Sequence, residues 1–354
     1  MKSKKAPSFG ILTIASAYIG TVVGAGFASG QEVLQFFTVF GLAGIWGVAV
    51  STFLFFIIGY AVLMLGRYLS AESHVPVVRF TNGRILGTAI DFIITIFLFG
   101  GLSAMIAGAG AIASEQFSVP SVFGTLVMAI ITLLTVVTGK KGVVSAISLV
   151  VPFLIVSVLF IAVTSLLTNP ILEREIRTAE QLKGATPNWL MSAFNYASYN
   201  IVISIGVLAP IGSETKDKKK LFFGALLGAL GLGIGIIAIY LCILTNIIQV
   251  QTLEVPMIEI ASKISSIVKI LFALVMFAEV YTTAVGNLYA FSQRVSLKLP
   301  KTAVIGGVAF FAFLAAQLGF SNMVKYLYPA VGYGGMLFFL GIIYVFIAKR
   351  DFMK

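Results

Sequence analysis

The sequence predicts an all-α transmembrane protein of about ten helices in a 5+5 inverted repeat. Three observations carry that prediction. The first is apolar bulk: of 354 residues, 59% are hydrophobic and 10% charged, and the mean hydropathy is +1.05, more than a soluble core needs. The second is a succession of long runs free of Asp, Glu, Lys and Arg, as spans must be when each charge near a helix centre costs about 2.5–3.5 kcal/mol. The third is that the basic residues lie between those runs and mostly on one side of the zigzag.

The runs place helices near 9–38, 41–66, 87–117, 121–138, 142–168, 188–212, 221–247, 266–293, 302–320 and 323–348. Lys2 to Lys5 followed by apolar Phe9 to Ile19 has the outline of a signal peptide, but nine further runs follow, so the first is read as an uncleaved span. With ten spans and both termini cytoplasmic, only Arg174, Arg177, Lys183, Lys263, Lys269 and Lys325 of the 24 Lys and Arg fall on the outer side. An odd number of spans breaks that pattern. The expected location is the plasma membrane, with the bilayer as partner. The longest outer segment, 169–187, divides the chain into a five-helix repeat at 1–168 and a second at 188–354. Five is odd, so the second repeat enters the membrane upside down, a common plan of transporters.

Both repeats begin with an interrupted helix. The first run carries Gly20, Gly24, Gly26 and Gly30, four glycines in eleven residues. As one helix, 9–38 is about 45 Å long against a hydrocarbon core of about 30 Å, so a break is comfortable. The alternative use of Gly20, Gly24 and Gly26 is close helix packing. The sixth run carries Asn195, Tyr196, Ser198, Tyr199 and Asn200, polar enough to require protein or water around it. Unwinding is therefore expected near Gly20 to Gly26 and Ala197 to Ile201.

Ionisable groups inside the runs are few. Glu279 lies mid-span, with Thr282, Thr283, Gly286 and Asn287 on its helical face. Such a carboxylate either couples transport or is a structural acid bonded to a broken neighbour. Glu32 follows the glycine-rich stretch, placed to attract a cation or to sit in a solvated vestibule. Asp91 and Glu115 fall near span ends, and His74 falls in an inner loop; the sequence gives these three surface roles. Cys242 is the one cysteine and reads as a packing residue. A net charge of +11 invites a nucleic-acid partner, but these are loop charges between spans and none is expected. The sequence has no Gly-rich phosphate loop, no Cys/His metal spacing and no paired carboxylates for hydrolysis, which counts against an enzyme. Transport energy then comes from an ion gradient or a partner protein, and no cofactor is called for.

Through Thr21-Val22-Val23-Gly24-Ala25-Gly26-Phe27-Ala28-Ser29-Gly30-Gln31-Glu32 and Ala278-Glu279-Val280-Tyr281-Thr282-Thr283, the chain resembles the YkvI family of bacterial membrane proteins. That family is similar to a compact branch of the amino acid-polyamine-organocation superfamily, whose members adopt the leucine-transporter fold. The resemblance implies a small solute bound between spans one and six, by Gly24, Ala25, Gly26, Asn195, Tyr196, Ser198, Tyr199 and Asn200. In sodium-coupled members it also implies an ion held by the carbonyls of Gly20 and Val23 and the hydroxyls of Thr282 and Thr283. Glu279, one turn before those hydroxyls, departs from the superfamily pattern; with Glu32 it is the candidate coupling or proton-carrying acid. The implied function is ion-coupled symport of a small organic solute, an amino acid or amine, by alternating access. A non-transporting membrane sensor and a proton-coupled exchanger are the rival readings.

Overall fold

The structure is a computed structural model that describes residues 9–138, 150–294 and 300–348. Lys140, Lys141, Lys298, the basic residues of both termini and the first part of predicted span five lie outside the described residues. Among the described residues six helices are long and apolar enough to cross a membrane, and four shorter apolar helices bring the total to ten, numbered here as spans in chain order.

Span one is in pieces: Ile11–Val22, a turn at Ala25–Ala28, and Gln31–Phe36. Its first break lies at Val23 and Gly24, both extended, so it is narrower than the sequence suggested and Gly20 stays helical. Its second lies at Gly30, whose φ of 82° is left-handed and explains the glycine. Span two is Gly44–Tyr68, and span three is the membrane part of His74–Phe117, which a non-helical Gly83 divides. Span four is Ser121–Val137, span five Val150–Thr168 and span six Trp189–Glu214. Span seven is Lys218–Leu244, span eight Ser266–Arg294 and span nine Lys301–Ala316. Span ten opens with Phe320–Asn322 and a π-helical turn, Met323–Leu327, before Tyr328–Ala348.

Span six corrects the sequence reading, because Trp189–Glu214 is one continuous helix through Ala197 to Ile201. No glycine lies between residues 194 and 205, and most of its polar side chains find partners without unwinding, although Asn195 Oδ1 and the Tyr196 hydroxyl have none among the described residues. Asn195 Nδ2 donates to the Pro329 carbonyl (2.9 Å) and Ser198 Oγ to the Gly332 carbonyl (2.8 Å), both on span ten. Asn200 Nδ2 and Ser204 Oγ donate to carbonyls one turn back in their own helix, those of Tyr196 and Asn200. Pro210 lies inside this helix and has no N–H for the Gly206 carbonyl, yet the helix continues through it to Glu214.

The packing sorts the spans into two groups. Spans one, two, six and seven pack on one another, as do three, four, eight and nine. Span five bridges the groups through seven and eight, and span ten through six and three. Part of this pattern recurs when span numbers are shifted by five: two against six becomes seven against one, three against four becomes eight against nine, and five against eight becomes ten against three, whereas the packing of ten on six has no comparable counterpart in five on one. Partial recurrence of this kind accords with a repeat of five helices. The connection between spans five and six carries a short helix, Glu173–Glu180, which lies over the start of span two, and Ala185 N donates to the Gln35 carbonyl.

Candidate functional site

At the break of span one, the seam between the two groups opens into a cavity of about 60 Å³. That is room for about two waters at liquid density. Span one contributes Thr21, Gly24, Ala25, Gly26 and Glu32, and span six contributes Tyr199, Asn200 and Ile203. From the opposite group come Phe97, Gly101 and Met105 of span three and Thr283 and Asn287 of span eight, with Tyr328 from span ten.

Glu32 gives the site its charge. The short helix that begins after Gly30 turns its side chain back across span one, where it is 4% exposed and far from the solvated vestibule the sequence allowed. Its Oε2 accepts a 2.5 Å hydrogen bond from the Tyr199 hydroxyl. Its carboxyl lies where a side chain on Gly26 would be, so a Cβ there falls 2.1 Å from Oε1. Tyr199 in turn contacts the rings of Phe97 and Tyr328, at centroid distances of 6.3 and 5.2 Å.

The structure divides the expected solute residues. Gly24, Ala25, Gly26, Tyr199 and Asn200 line the cavity. Asn195 and Ser198 do not, because helical geometry turns them toward span ten, and the Tyr196 ring is packed among Phe36, Phe37 and Phe55. Phe97, Met105 and Tyr328 were not found from the sequence. They are ordinary apolar and aromatic span residues, and only the docking of spans three and ten onto span one selects them.

The expected ion residues are only partly gathered. Glu279 is 2% exposed, and its Oε1 accepts from Thr283 Oγ1 at 3.3 Å while Oε2 has no partner among the described residues. Thr282 Oγ1 donates to the Glu279 carbonyl at 3.0 Å, and Thr283 reaches the cavity wall. Gly20 lies in the last turn before the break, where carbonyls lack intrahelical donors. Val23 lines a second, apolar cavity of about 240 Å³ between spans one, five and seven. Among the described residues no group of three His, Cys, Asp or Glu is placed to hold a metal ion.

Two acids and a histidine assigned to the surface turn out to tie elements together, as does Glu254, to which the sequence assigns no role. Asp91 Oδ1 accepts from Arg294 NH1 at 2.9 Å and lies 2.8 Å from His74 Nε2, which joins the end of span eight to span three and to the helix before it. On the other face, Glu115 accepts from the backbone N–H groups of Glu254 and Val255, and Glu254 accepts from Phe320 N at 3.2 Å. Burial raises the Glu254 pKa above the ordinary carboxylate value, and burial lowers that of Lys263 on the same connection. Cys242 is buried, as expected.

No protein-family model matches the chain. It is 30% identical over 328 residues to the uncharacterized membrane protein YkvI of Bacillus subtilis (strain 168), covering 92% of this chain and 93% of the relative. It is 25% identical over 318 residues to the uncharacterized protein YyaD of the same strain, covering 89% and 90%. Among solved structures, MhsT in complex with L-phenylalanine superposes with a TM-score of 0.62 at 18% identity, over 95% of this chain and 88% of that one. The inward-facing conformation of Mhp1 gives 0.62 at 12% identity, over 99% and 80%. A Na⁺-coupled sialic acid symporter, substrate-bound and outward-open, gives 0.59 at 14% identity, over 95% and 79%. At such identities the structural likeness establishes the fold alone, while the sequence likeness establishes kinship: this multi-pass membrane protein has the leucine-transporter fold and belongs to the YkvI family.

Proposed function

We propose that the protein is an ion-coupled secondary transporter of a small organic solute, an amino acid or amine, which it carries by alternating access. One observation carries the reading: the cavity that Glu32 faces lies on the seam between the two packed groups of spans and is walled by both. A solute larger than two waters enters only if the groups part, and parting on alternate faces is transport. The neighbours described as bound to L-phenylalanine and as a Na⁺-coupled symporter support a small solute and an ion gradient.

The repeats are 1–168 and 188–354, joined at 169–187, with both termini cytoplasmic. Coupling resides at Glu279 with Thr282, Thr283 and the carbonyls of Gly20 and Val23. Hydroxyl, carbonyl and carboxylate oxygens are ligands that sodium accepts. The unpartnered Glu279 oxygen favours a second reading in which the acid carries a proton instead. The test is uptake into proteoliposomes under imposed sodium and pH gradients. Solute accumulation that collapses with the gradient is expected, and specific binding with no accumulation under either gradient identifies a sensor and overturns the transporter.

A further inference from the structure

Among the described residues, the central cavity holds one ionisable carboxylate, that of Glu32, and no lysine, arginine or histidine. The titratable groups that face this carboxylate are phenols: Tyr196 and Tyr199 from span six and Tyr328 from span ten. Span three brings Phe97, Gly101 and Met105 to the same space and span eight brings Thr283 and Asn287, none of them charged. A buried carboxylate is costly unless paired, and one short hydrogen bond from Tyr199 does not neutralise it. Its counter-charge must therefore arrive with the solute or as a proton.

The cavity favours one kind of solute. Phe97, Tyr199 and Tyr328 touch one another, with centroids 5.2 to 6.3 Å apart, and all three line the space that Glu32 faces. Ring faces and a carboxylate both attract an ammonium group. A free carboxylate on the solute meets no cationic side chain and is repelled by Glu32. The donors that remain for it are all uncharged: backbone N–H groups near Gly24 to Gly26, where the Glu32 carboxyl already lies against Gly26, and neutral side chains such as Asn287.

We propose that the solute is a compact organic monocation whose ammonium pairs with Glu32, and that a proton on Glu32 replaces it in the empty carrier. The proposal rests on the transporter reading and names the substrate class of the same cavity. Binding breaks the carboxyl O–H bond, forms the carboxylate–ammonium pair and releases one proton to the side from which the solute entered. Release on the other face reverses the step, so each cycle exchanges one organic cation for one proton, whichever ion occupies Glu279.

The test uses the full-length protein in nanodiscs, titrated calorimetrically with propylamine (a cation at neutral pH), alanine (a zwitterion) and propionate (an anion), in two buffers of different ionisation heat. Propylamine is expected to bind with release of close to one proton, and alanine and propionate at least about 100-fold more weakly, as for charge repulsion of a few kcal/mol. Glu32→Gln should abolish proton release and weaken propylamine by about 100-fold. Should that variant misfold, Glu32→Asp serves, with proton release kept and affinity reduced. Alanine binding as tightly as propylamine, propylamine failing to bind, or binding without buffer-dependent heat overturns the proposal. Proteoliposomes keep the two ideas apart. Gradient-driven accumulation of alanine but not propylamine leaves a transporter and removes the monocation, whereas proton-releasing binding of propylamine without accumulation under any gradient leaves the site and removes the transporter.

Discussion

The Glu32 carboxyl occupies the place of a side chain on Gly26, six residues earlier in the same broken span, so that a Cβ on Gly26 would lie 2.1 Å from Glu32 Oε1. The two ends of the interruption thereby fix each other. Gly26→Ala drives the carboxyl away from Tyr199 and into the cavity. It should lower stability by about 1–3 kcal/mol, as overpacking does, and abolish solute binding. Thermal unfolding together with binding calorimetry checks both, and unchanged binding would show that Glu32 has other room to move.

Tyr199 donates the one short hydrogen bond seen at Glu32. Tyr199→Phe keeps the ring contacts to Phe97 and Tyr328 and removes only the hydroxyl. Loss of a bond to a charged group costs about 1.5–3 kcal/mol. The expected result is a change of at least tenfold in solute affinity, with its pH dependence displaced and the unfolding temperature little altered.

Glu279 and Thr283 are adjacent on one helical face, and Thr283 reaches the cavity. Thr283→Ala and Glu279→Gln are to be assayed for transport against sodium concentration and pH. Loss of sodium dependence in Thr283→Ala identifies sodium as the coupling ion. Residual transport that no longer responds to pH in Glu279→Gln identifies a proton. Wild-type behaviour of both variants reduces the pair to a structural polar contact.

Arg294 links span eight to Asp91 and His74 and so holds three elements together on one face of the bundle. The Asp91 side chain is 49% exposed, so the pair contributes at most about 1 kcal/mol to stability. Its effect should be on state populations. Arg294→Ala is expected to favour the conformation open on that face, read as faster modification of a cysteine introduced as Ile203→Cys on the cavity wall. An unchanged modification rate would rule out a latch.

Glu254 joins the connection between spans seven and eight to the start of span ten through Phe320 N. Burial raises its pKa, so in the folded protein it holds its proton to higher pH than in the unfolded chain. Its contribution to stability is then fully present below the ordinary carboxylate value and is lost as pH rises through the raised one. Hydrogen exchange over 250–264 should speed up across that window in the wild type, beyond the intrinsic increase with pH, and not in Glu254→Gln.

The sequence by itself determined that the chain is a membrane protein built on about ten apolar helices, the first of them broken, because both follow from local costs. A charge in hydrocarbon is expensive wherever it sits, and four glycines between Gly20 and Gly30 weaken any helix. The tertiary structure decided the rest. The polar run at Asn195 to Asn200 looked like a second break, but Asn200 bonds back within its own helix, while Asn195 and Ser198 donate to carbonyls of span ten, 134 positions away in sequence. For the same reason Asn195 and Ser198 left the site while Phe97 and Tyr328 joined it. The position of Glu32 shows the division most plainly. Its residue type announced a costly buried charge, but only the fold of span one onto itself and the approach of Tyr199 from 167 positions away set that charge in a cavity.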